Sequence, residues 1–171
     1  MNDFIGFVAM DDVIRVPVLT IAAGVPADAD SLPTYRVYGD GGLLAGGTGS
    51  LSLKDSGAIT GASNTTPINI TAASHKLQSG MRINVSGVGG NTAANGTFTI
   101  TASDSNTFSL NGSVGNGAYT SGGTWHVAGL YDAVITPATT GGYAVNEFFD
   151  LLVTAVIGGN TSVQTFRFGV V

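Results

Sequence analysis

The chain contains no cysteine, so neither disulfides nor thiolate-bound zinc can contribute to its stability. Charge is almost as scarce. Charged residues make up 10% of the sequence, against roughly 25% in an average soluble domain. Only six of the 171 residues are lysine or arginine, and the formal net charge is −5. Such a chain has no basic footprint for a phosphate backbone, and no nucleic-acid partner is expected. Long apolar runs are missing as well. The densest, at 151–157, falls far short of the roughly 20 residues a spanning helix needs, so no membrane is expected. The stretch 4–10 is apolar, but Asp3 precedes it and Asp11 and Asp12 follow. A secretory leader would have a basic start and a longer apolar segment.

What the sequence does have is alternation. Ile68 and Ile70, Ile83 and Val85, Phe98 and Ile100, and Phe108 and Leu110 each flank a single Asn, Ser or Thr. A two-residue period puts one side-chain set on each face of a pleated strand, and threonine on the polar face suits a half-buried sheet. No stretch long enough for a globular helix keeps a glycine-free apolar stripe. Gly-Gly pairs at 41–42, 46–47, 89–90, 122–123, 141–142 and 158–159 supply the positive-φ positions of tight turns. The cleanest hairpin runs from 151–157 through Gly158-Gly159-Asn160 into 162–170. The fold class read from this pattern is all-β, a sandwich or barrel.

Composition shifts along the chain. Between Ser56 and Trp125 only Lys76, Arg82 and Asp104 are charged, and Gly, Asn, Ser and Thr dominate. A shift in and back out predicts a module at 57–123 inserted into a host formed by 1–56 and 124–171. Insertions of this kind are tolerated at exposed loop tips.

Several motifs carry a resemblance. They are Ile68-Asn-Ile-Thr71, His75-Lys-Leu-Gln-Ser-Gly80, Gly87-Val-Gly-Gly-Asn-Thr-Ala-Ala-Asn-Gly-Thr-Phe98, Thr107-Phe-Ser-Leu110 and Gly115-Asn-Gly-Ala-Tyr-Thr-Ser-Gly-Gly123. Together they resemble an FCCH-like β module that recurs in phage tail, baseplate and fibre proteins. One departure is Lys76, which stands where that module has glycine. The flanks, through Ile14-Arg-Val-Pro-Val18, Pro33-Thr-Tyr-Arg-Val-Tyr-Gly39, Gly129-Leu-Tyr-Asp132 and Phe166-Arg-Phe168, resemble an immunoglobulin-like sandwich of phage structural proteins. The two resemblances imply a discontinuous immunoglobulin-like β-sandwich with an inserted small β-barrel or β-sheet module, which replaces a hairpin turn. They also imply a place in the particle of a tailed bacteriophage, in a protein made in the host cytoplasm.

Chemistry-bearing residues are few. His75 and His126 are the only histidines, and neither has a second ligand at metal spacing. No Gly-x-Ser-x-Gly elbow leads from a strand into a helix. Paired acids occur at Asp11-Asp12 and Asp28-Ala-Asp30; the Asp28 pair lacks the glycine and distal glutamate of a calcium loop, and Asp28 and Asp30 read as a solvated turn. Trp125, Tyr119 and Tyr143 are the aromatics that could stack on a sugar, although Trp125 is expected to pack where the insert rejoins its host. No catalytic residue, cofactor or metal site is therefore expected. The candidate contacts are Phe4, Ile5 and Phe7, either an arm lying on a partner or an ordinary first strand. The function expected is that of a non-enzymatic head decoration (cement) protein on the capsid lattice. Its partners would be the major capsid protein or other virion proteins, and it would form a homo-oligomer. The alternatives are a tail or baseplate adaptor, or a host-surface glycan-binding module.

Overall fold

A computed structural model describes residues 3–171. The chain is all-β and divides into two compact units, one formed by the residues up to Ser52 with Gly129–Val171, the other by Leu53–Ala128. The first unit opens with β1 (Asp3–Val8), β2 (Ile14–Leu19), β3 (Ile21–Ala22), β4 (Val25–Pro26), β5 (Thr34–Gly39) and β6 (Gly42–Ser50). After β7 (Ser52–Leu53) come β8 (Ser56–Ala58), β9 (Gly61–Ala62), β10 (Ile68–Thr71), β11 (Arg82–Ser86), β12 (Gly96–Ala102), β13 (Thr107–Leu110) and β14 (Thr124–Val127). The chain closes with β15 (Leu130–Ile135), β16 (Glu147–Ile157) and β17 (Asn160–Val170).

The first unit is a β-sandwich. One sheet has the order β1-β17-β16-β5-β6 and the other β2-β15-β7. This order is immunoglobulin-like: β2, β15 and β7 take the places of strands B, E and D, and β5, β16 and β17 those of C, F and G. The second unit is threaded between β7 and β15, which are neighbours in their sheet.

Alternation builds the sandwich core. Val16 and Val18 of β2 and Tyr131, Ala133 and Ile135 of β15 are buried from one sheet; Val37, Phe149, Leu151, Val153, Phe168 and Val170 are buried from the other. Fully burying a side chain such as Phe149, Leu151 or Phe168 contributes about 1.5–3 kcal/mol. The β16–β17 ladder is unbroken from Glu147↔Val170 to Ile157↔Asn160. Its two-residue turn sets Gly158 at φ +56° and Gly159 at φ +78°, the double positive φ that matches strand twist.

The second unit is built on a seven-stranded sheet of order β8-β14-β11-β12-β13-β10-β9. Its own core holds Ile68, Ile70, Ile83, Val85, Ile100, Phe108, Leu110 and Trp125. The division between units falls a few residues outside the positions expected from composition. The reason is pairing: β14 joins β11 on one side and β8 on the other, so 124–127 and Ser56 belong to the second sheet. Lys76 has φ +55°, a left-handed conformation that favours glycine.

Candidate functional site

The sequence around Phe4 and Phe7 poses a geometric problem. Two residues three apart on a regular strand point to opposite faces. In β1 they do not. The strand runs parallel to β17 with Phe4 beside Arg167, Gly6 beside Phe168 and Phe7 beside Gly169, so Ile5 is an extra residue in a bulge. A bulge re-aims the side chains that follow it. Gly6 has φ +120°, a conformation that only glycine adopts without strain. The consequence is that Phe4 and Phe7 share the outer face of the five-stranded sheet, 53% and 63% exposed, with Ile5 exposed at the bulge.

A third ring joins them. Phe148 of β16 lies opposite Gly169 and is 50% exposed. Phe7, Gly169 and Phe148 thus form one row across three strands. Glycine leaves the space between the outer two open, and their ring centroids come to 5.9 Å. Phe4 meets Phe7 edge-on at 5.3 Å and Phe148 at 6.2 Å. Rings at such separations attract beyond their buried area.

The next row is polar. Arg167, between Phe4 and Asp150, forms a two-pronged ion pair with Asp150, Nε to Oδ1 at 2.7 Å and Nη2 to Oδ2 at 2.8 Å. That hydrogen bond, with the charges of Asp150 and Asp40, raises the Arg167 pKa. Tyr38 lies opposite Asp150 and Leu43 opposite Tyr38. Beside Phe148 the surface dips into an open cavity of about 300 Å³, lined among others by Tyr38, Asp40, Glu147 and Asp150. The sequence singles out Phe4, Ile5 and Phe7 as candidate contacts and gives no signal for Phe148, which the register places beside them.

The other chemistry-bearing residues have structural employment. His75 is 5% exposed. Its Nδ1 accepts the Leu77 N–H at 2.9 Å, its Nε2 stands 3.3 Å from the Thr107 carbonyl, and its ring meets Phe108 edge-on. Both nitrogens are thus committed to backbone. His126 sits in β14 between Asn84 and Ser56. Asp28 accepts the Gly129 N–H at 2.7 Å, and Asp30 accepts those of Gly158 and Gly159, both at 2.8 Å. Asp28 and Asp30 thus tie down two distant backbone segments while Asp30 stays exposed. The two glycine N–H groups hold the Asp30 pKa below its ordinary value.

The aromatics considered for sugar stacking are turned inward. Trp125 is buried in the second unit's own core, edge-on to Phe108 at 6.3 Å. Tyr119 directs its hydroxyl at the Ile59 and Gly122 carbonyls. Tyr143 is buried against Phe149 and Phe168, and burial, with Tyr35 nearby, pushes its pKa up to about 12. Among the described residues no group of three His, Cys, Asp or Glu side chains could hold a metal ion, and no helix is long and apolar enough to cross a membrane.

No protein-family model matches the sequence, and no curated protein matches it.

Proposed function

We propose that the chain is a non-enzymatic accessory protein of a tailed-phage particle, docked on the head lattice as a decoration, or cement, protein. The observation that carries this reading is the outward aromatic triplet. Three phenylalanines meet on the solvent face of a sandwich, two of them aimed there by a bulge that requires glycine. A chain selected only to fold would turn these rings inward; a docking face has use for them. Covering them removes apolar surface from water at about 25 cal/mol per Å². On a symmetric shell the same contact repeats at every equivalent position, so a modest contribution per copy accumulates. The low charge of the chain fits a surface that spends its life against neighbours, and the sequence resemblances point to the same setting. The partner in this reading is the major capsid protein or another virion protein.

Quantitative mass spectrometry of purified particles tests the reading. Cement predicts a copy number equal to the major capsid protein's or a simple fraction of it. A ratio of a few per cent would move the chain to the tail or baseplate. Absence from the particle would remove the structural reading and leave a host-surface binding module.

A further inference from the structure

We propose that the Phe4–Phe7–Phe148 face docks a partner protein that presents an apolar side chain flanked by lysine or arginine, the cationic head seating in the cavity beside Phe148. This rests on the docking reading above and adds the chemistry of the partner.

Three carboxylates, Asp40, Glu147 and Asp150, line the cavity against one guanidinium, Arg167. Arg167 is already engaged by Asp150 through both prongs. Asp40 and Glu147 are in no ion pair among the described residues, so the cavity keeps an excess of negative charge. Tyr38 and Phe148 add ring surface to the same cavity. Carboxylates and aromatic faces both attract a cation, and a cation on a ring gains most where water is displaced. About 300 Å³ is at the small end of ligand sites and suits one side chain rather than a large ligand. The three phenylalanines alongside call for an apolar neighbour in the same partner segment.

Two other occupants fit less well. A strand added to the free edge of β1 would need a regular ladder, and the bulge at Ile5 and Gly6 interrupts it. A second copy of this chain would set one acidic cavity against another, and like charges across an interface are costly. Arg36 cannot offset that within the cavity, because it stands one row further along, opposite Leu152 and Thr48.

Two synthetic peptides decide the matter, both with a leucine-phenylalanine-leucine core, one flanked by lysines and one by glutamates. Each is titrated into the ¹⁵N-labelled full chain. The lysine peptide is expected to shift the amide signals of Tyr38, Glu147, Phe148 and Gly169, and the glutamate peptide to leave them in place. Phe7→Ser and Glu147→Lys should each weaken the lysine peptide roughly tenfold while keeping a folded spectrum, and Val114→Ser in the second unit should change nothing. Equal shifts from both peptides, no shift from the lysine peptide, or shifts elsewhere would overturn the proposal. No particle enters this titration, so its failure leaves the virion reading standing. That reading falls on the particle copy number instead.

Discussion

Gly169 lies beneath the ring of Phe7: a β-carbon built on it would stand 2.5 Å from Phe7 Cδ1 and 3.4 Å from Phe148 Cε1. The aromatic triplet closes over this one backbone position. Gly169→Ala should therefore push Phe7 outward. Because Phe7 is 63% exposed it can swing away, and stability should change by less than about 1 kcal/mol. The ring-current shifts of Phe4 and Phe7 should collapse, and partner binding should weaken with them. Unchanged ring-current shifts in Gly169→Ala would contradict the packing described.

Gly6 is the second pivot. Its φ of +120° strains any residue with a β-carbon, at about 1–3 kcal/mol, although nothing stands within 4 Å of the site. Gly6→Ala should lower the urea midpoint, with the loss concentrated in faster amide exchange across β1. Gly41→Ala, also in open space and without a positive φ, should be neutral in the same assay.

Acid should loosen the β16–β17 hairpin turn. Asp30 takes its lowered pKa first from the Gly159 N–H and then from that of Gly158. A depressed folded-state pKa contributes stability that is present above the unfolded value, 3.8, and is lost as pH falls through the lower folded value. The Gly158 and Gly159 amide shifts should follow one titration step with a midpoint below 3.8. Asp30→Ala should abolish that step and speed exchange at both amides. Asp104 makes the same clamp in the second unit, through the Asn106 and Thr107 N–H groups and the Thr107 hydroxyl. Its pKa is lowered too, chiefly by Asn106.

Asn91, fully buried, ties three segments of the second unit together. Its Nδ2 donates to the Ser63 carbonyl at 2.7 Å and its Oδ1 accepts the Asn116 N–H at 3.1 Å. Asn91→Ala leaves both backbone groups without that partner, at a cost of about 1–3 kcal/mol. Chemical denaturation followed by Trp125 fluorescence, a probe in the same core, should report the loss. Wild-type stability in that variant would show that the bridge is not needed.

Much of the fold could be read from period and punctuation. Ile68, Ile70, Ile83, Val85, Phe108 and Leu110 are all buried, because alternation on a strand determines which side chains share a face. The hairpin at Gly158 and Gly159 was legible because adjacent glycines between apolar runs favour a positive-φ turn. The aromatic face was only half legible. Phe4 and Phe7 stand out as an apolar arm, but their three-residue spacing places them on opposite faces until a bulge is known. Phe148 and Phe149 are adjacent, so one must point out and one in. Only the register against β5 and β17 decides that Phe149 is buried and Phe148 exposed. The parallel pairing of β1 with β17 joins the two ends of the sequence, and no local pattern encodes it.

Docking of this face onto a phage head is open to direct measurement. Its most direct test is to add the purified chain back to particles that lack it and measure the amount bound after sedimentation. The wild-type chain is expected to saturate in simple ratio to the major capsid protein, and the folded Phe7→Ser/Phe148→Ser variant to bind at least roughly tenfold more weakly. Wild-type chain that stays in the supernatant, or a variant that binds as well as the wild type, would contradict it.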